Sequence, residues 1–144
     1  MSLLRALQQA GVLRPLDEAL AFSLRRLDPQ TPDEVLAAAA LASLAVAQGH
    51  AGFDPAQPRL LVDADIAWPE AEAWTQALVA SRFVATPQSS VDEADAAPLV
   101  FERPAEGQGL LYLRRYREYE RRLALHLRRI AAQPLDGDIE AIAP

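Results

Sequence analysis

His50 and His126 are the only histidines in the chain, and neither stands in a spacing such as H-x-x-x-H that would set two imidazoles on one helix face for a metal ion. His50 follows Gly49 at the end of a helical stretch, where a capping or packing role is expected rather than that of a base. His126 reads as an ordinary helix residue. The carboxylates that come in groups, Asp63 with Asp65 and Asp92 with Glu93 and Asp95, lie in polar, loop-like sequence without the apolar setting that raises one pKa for general-acid work. Ser81, Ser89 and Ser90 lack the G-x-S-x-G context of a nucleophile elbow, and no glycine-rich phosphate loop occurs. The chain has no cysteine, which excludes disulfides, thiolate metal sites and thiol nucleophiles. All 14 basic residues are arginine, so the P-loop lysine and Schiff-base chemistry are excluded too. Trp68 and Trp74 could stack on bases, but Trp74 fits a buried helix face and Trp68 the lead-in to that helix. These residue types predict binding rather than catalysis, with no catalytic residue, cofactor or metal site.

Charge is the feature that points to a partner. Residues 103–129 hold eight arginines against Glu106, Glu118 and Glu120, a balance of +5, while the remainder holds six arginines against 17 acids, a balance of -11. A basic helix in an otherwise acidic chain can meet either nucleic-acid phosphates or an acidic protein. The candidate partner-binding residues are Arg114, Arg115, Arg117, Arg121 and Arg128, together with Leu125, which falls opposite the Tyr116, Tyr119, Leu123 and Ile130 stripe. The competing reading is a solvated helix surface, in which Glu118 pairs with Arg121 and Arg122 at three- and four-residue spacing.

The elements that must position these residues follow from periodicity and punctuation. The chain is 144 residues long, 51% hydrophobic and 24% charged, which predicts one soluble domain; without an export signal, the cytoplasm is the expected compartment and no membrane is implied. Leu3, Leu4, Leu7 and Ala10 predict a short helix closed by Gly11. A second is expected from Leu16 or Asp17, carrying Leu20, Phe22, Leu24 and Leu27 and ending at Asp28-Pro29. Thr31-Pro32-Asp33-Glu34 reads as a capping box with Pro32 at N1, opening an alanine-rich central helix that runs to Gln48 and stops at Gly49. A short third strand is allowed near His50 to Phe53. Pro69 is expected at N1 of a fourth helix reaching Ser81, with Ala71, Trp74, Ala77, Leu78 and Ser81 on one face. Thr86 to Ala97 reads as a surface loop, and the runs Leu99–Arg103 and Leu110–Arg114 as a β-hairpin around residues 104–109. A last helix is expected from Arg115, and the acidic segment after Pro134 as the start of a linker. The expected fold is α+β, mainly α: four or five helices and one hairpin in the C-terminal half, arranged in a winged-helix-like manner.

Five pieces in order, Leu13-Arg14-Pro15-Leu16-Asp17, the Gly49-His50 junction, Trp74 to Ser81 with Val84, Pro98-Leu99-Val100, and Leu111-Tyr112-Leu113 running into Arg114-Arg115-Tyr116-Arg117-Glu118-Tyr119-Glu120, resemble the N-terminal domain of RecD, the alpha chain of bacterial exodeoxyribonuclease V. The resemblance covers about residues 1–133 and leaves 134–144 as the expected linker. In that family the domain precedes an ATP-dependent 5′–3′ DNA helicase motor, in a complex with RecB and RecC that processes double-strand ends. The resemblance therefore implies a docking domain whose chief partner is RecC, with RecB in the same complex and DNA met through the whole assembly. ATP and magnesium would belong to the motor, and no family catalytic residue can be carried onto these positions. The alternative is a free-standing winged-helix DNA-binding protein, with the fourth helix as reader and the 98–114 hairpin as wing.

Overall fold

Leucines at positions 3, 4 and 7 give α1 (Leu3–Ala10) a single apolar face, all of it buried. Ser2 caps it by accepting from the Arg5 amide at 3.2 Å, and Gly11 closes it in the left-handed region at φ 71°. The structure, a computed structural model, describes residues 2–87, 97–103 and 109–114. Pro15 opens α2 (Pro15–Leu27) at N1, where its missing N–H forfeits no hydrogen bond. The buried face of α2 is Asp17, Ala21 and Leu24. Phe22 and Leu27, expected to help cover the core, are instead 38% and 68% exposed, because at 100° per residue both fall out of phase with that triad.

Helix α3 (Asp33–Ala47) is the centre of the fold: Val35 through Ala45 are all buried. Alanine at six of these eleven positions keeps the helix slim enough for α1, α2 and α4 (Ala71–Val79) and the sheet strand β3 (Leu110–Leu113) to pack around it. The expected capping box does not form. Pro32 is the N-cap rather than N1, the Thr31 hydroxyl donates to the Asp28 carbonyl at 2.7 Å, and the Asp33 carboxylate accepts from the Leu4 amide of α1 at 3.1 Å. The Thr31 hydroxyl is thus turned back to the end of α2 instead of forward to the α3 amides, while Asp33 ties the start of α3 to α1. At the other end Gly49 adopts φ 90° and a Schellman motif closes: the His50 amide donates to the Ala45 carbonyl at 2.9 Å and the Gly49 amide to Val46 at 3.0 Å. His50 thus serves the helix end through its backbone.

Helix α4 is shorter than its sequence suggests, starting after Glu70, whose side chain accepts from the Ala73 amide at 2.8 Å, so that Pro69 lies outside it. Its Trp74 is fully buried and donates through Nε1 to the Glu34 carbonyl of α3 at 2.9 Å. The third strand of the sheet is β1 (Val84–Ala85), too short to show an alternation in sequence; it pairs parallel to β2 (Leu99–Glu102), which pairs antiparallel to β3 in the expected hairpin. The stretch near His50 provides only a bridge, between Phe53 and Leu111. Gly52 beside it is obligatory, since a Cβ there would stand 2.7 Å from the Leu111 carbonyl oxygen. The described elements are α+β and mainly α. The helix expected from Arg115, the segment 134–144 and most of the Thr86–Ala97 loop lie outside the described residues.

A helix whose buried alanines are covered on every side leaves no spare volume at those positions. Ala39→Leu should destabilise the chain by about 1–3 kcal/mol in urea unfolding, whereas Ala47→Leu, exposed on the same helix, should leave the midpoint nearly unchanged.

Candidate functional site

The most concentrated polar chemistry among the described residues joins α2 to α3. Asp17, at N3 of α2 and wholly inaccessible to solvent, accepts from the Arg14 amide at 2.8 Å, completing the helix start from inside. The Arg14 guanidinium grips the same carboxylate through Nε to Oδ2 at 3.2 Å and Nη2 to Oδ1 at 2.8 Å, and the Ser43 hydroxyl of α3 also donates to Oδ1, at 2.6 Å. Burial pushes the Asp17 carboxyl up, but the hydrogen bonds from Arg14, Ser43 and the Arg14 backbone, with the guanidinium charge, outweigh it, and the pKa is lowered overall. The bond to Asp17 correspondingly raises the pKa of Arg14, whose side chain is 43% exposed. A carboxylate held ionised by an arginine, with every hydrogen bond pointing inward, is a clasp and not an acid or base. The sequence places a helix start at Leu16 or Asp17 but does not reveal the clasp. The available signal was an acid at position 17 in phase with Ala21 and Leu24.

Outside the clasp, α2 turns an apolar stripe to solvent. Leu16 is 66% exposed and Leu27 68%, with the half-buried Leu20 and exposed Ser23 between them. Arg26 borders the stripe and has no acidic partner among the described residues, while Arg25 lies 5.5 Å over the Phe22 ring on the far side of the helix.

Of the sequence-derived partner residues, only Arg114 is described. It is half-buried against the start of β2: its amide donates to the Pro98 carbonyl at 2.9 Å, and Nη1 reaches the Ala97 carbonyl at 3.5 Å. Arg115, Arg117, Arg121, Leu125 and Arg128, like His126, lie outside the described residues. Asp63 and Asp65 are exposed, and no three His, Asp or Glu side chains converge on a metal-sized point among the described residues. Trp68 stacks on Trp74 with ring centroids 6.1 Å apart, and Trp74 meets Phe53 edge-on at 5.4 Å, so both tryptophans serve packing. A cleft of about 420 Å³ beside Trp68 is walled by Pro55, Pro58, Leu60 and Pro69 with Arg59, a lining that holds one cation and no carboxylate or histidine. Helix α4, the reader in a winged-helix reading, begins at the Glu70 cap, carries Glu72 in its first turn and has no basic residue from Ala71 to Val79. That charge is wrong for a DNA groove. No helix among the described residues is long and apolar enough to cross a membrane.

Residues 9–105 match the family model for the RecBCD enzyme subunit RecD, N-terminal domain. The chain belongs to this RecD family. The match takes in α2, α3, α4, β1 and β2, and hence the whole clasp, whereas Leu111 to Glu120, part of the resemblance seen in sequence, lies beyond it. No curated protein and no solved structure matches the chain.

The sign of the Asp17 shift sets a pH dependence. A carboxyl whose folded pKa is depressed lends stability that is complete above its unfolded value, about 3.9, and is lost as pH falls through the folded pKa. Asp17→Asn should cost about 2 kcal/mol near neutral pH, and the gap from the parent chain should close below about pH 4 when denaturation midpoints are compared across pH.

Proposed function

We infer that these residues form a non-catalytic docking element of a RecD subunit, attaching it chiefly to RecC within the cytoplasmic exodeoxyribonuclease V complex, where RecB is also present and double-stranded DNA ends are unwound and degraded. The family match over residues 9–105 carries this reading, and it is supported by the kind of surface α2 presents, apolar at its centre with a cation at its border. In this reading residues 1–133 are the docking domain, arranged in a winged-helix-like manner, and 134–144 begin the linker. ATP and magnesium belong to a helicase motor elsewhere in the family protein, and the domain meets DNA only through the assembly.

The basic residues after the hairpin are the second arm of the proposal. Surface arginines at an interface govern association more than folding. Co-expression of the chain with its cognate RecC, followed by co-purification, tests the reading directly: the two should travel together. Reversing Arg121 and Arg128 to glutamate should weaken that association with the thermal midpoint nearly unchanged, and an equal loss of stability would assign those arginines to the fold instead.

A further inference from the structure

Leu16, Leu20, Ser23 and Leu27 follow one another on α2 at intervals of four, three and four residues, the spacing of the seam along which one helix packs lengthwise on another. Ordinarily such a seam is buried. Here its two ends are about two-thirds exposed, and only Leu20 also leans against the core, whose inward face on this helix is Asp17, Ala21 and Leu24. The small Ser23 at its middle lets a second backbone approach closely. Arg26, exposed along one border, has no carboxylate to answer it among the described residues of a chain whose net charge is -6.

We propose that the outward stripe of α2, Leu16–Leu20–Ser23–Leu27 bordered by Arg26, is the docking seam for an apolar helix of another subunit of the RecBCD enzyme, and that this helix carries a carboxylate facing Arg26. The inference rests on the docking reading above and locates it. Charge selects the occupant. The acid on this helix that is not already clasped, Glu18, lies on the side of α2 away from the stripe, so α2 of a second copy paired along it would bring no carboxylate of its own to Arg26. A nucleic acid would meet leucines where it needs cations. An apolar helix with an acid on its flank answers both features, and membership in a multi-subunit enzyme supplies it from outside the chain.

The test uses the full chain and cognate RecC, with affinity read by interferometry after co-purification. Leu16→Glu with Leu27→Glu should weaken binding by about 100-fold, since these two leucines are the large apolar side chains of the seam most open to a partner and each would bury a charge in the contact. Arg26→Glu should weaken it by about tenfold, with a slower on-rate and less salt dependence. The thermal midpoints should not move, because all three side chains are exposed; if the glutamates disturb folding, the Leu16→Ser, Leu27→Ser pair makes the same test. Full binding by the leucine variants beside a binding parent chain would overturn the seam and leave the docking reading intact. Failure of the parent chain itself to bind RecC would overturn the docking reading and the seam with it. A parent chain that dimerises in sedimentation through these leucines, or a DNA end that loses affinity on their replacement, would overturn the choice of occupant.

Discussion

A helix with no solvent face is the constraint on which the other elements depend. From Val35 to Ala45 α3 presents nothing to water, so every direction around it must be covered by something else, and α1, α2, α4 and β3 are that cover. Alanine makes the arrangement possible by letting neighbouring axes come close, but it also makes the surface smooth. A run of alanines offers few knobs of its own to define how far a neighbouring helix slides along it. Ser43 is the only polar residue in that buried run, and it is the one that α2 grips. Hydrogen bonds are directional where apolar contact is not, so the Asp17–Ser43 bond supplies a register that packing alone leaves loose.

This division between apolar cover and polar register accounts for what could be read in the sequence. The closures of α1 and α3 were legible because Gly11 and Gly49 occupy left-handed backbone, a requirement local to those residues. The hairpin was legible because two β-prone runs flank a turn composition. The capping box at Thr31 was not realised because the Thr31 hydroxyl bonds back to the Asp28 carbonyl at the end of α2, a competition invisible in a four-residue motif. Phe22 and Leu27 were counted with the core by type, and phase excluded them. The two-residue strand β1 has no pattern of its own, existing only because β2 runs alongside. The clasp escaped notice because its partners stand 26 residues apart, and an aspartate near a helix start is ordinarily a solvent-facing group favoured by the helix dipole. As for the partner-binding residues, composition located the basic stretch, but the exposed stripe of α2 emerged only once the inward face of that helix was known.

A single 13-residue helix therefore has two assignments separated by rotation about its axis. One side holds a buried carboxylate whose ionisation depends on Arg14 and Ser43; the other offers leucines to water. Each makes sense of the other. An apolar stripe on a loosely held helix would simply roll inward and join the core, since burial of a leucine is worth roughly 1.5–3 kcal/mol. Rolling α2 would drag Asp17 out of its hydrogen bonds, and a buried carboxylate stripped of its partners is costlier than an exposed leucine is unfavourable. The clasp thus works against the inward collapse of the very side chains that give the helix its outer surface.

The same reasoning bears on how such a surface binds. Association loses translational and rotational freedom whatever the partner, and it loses more where an element must first be ordered. The register of α2 is already set by bonds at 2.6–2.8 Å to its neighbour and its own first turn, so its outward leucines are presented at fixed spacing before any partner arrives. Recognition can then come from shape along the seam, with Arg26 contributing orientation at the border. This is an economical arrangement for a domain with a small core. The interaction that locates α2 on α3 is also the one that keeps its far side available, and loss of the Asp17 charge would loosen both together.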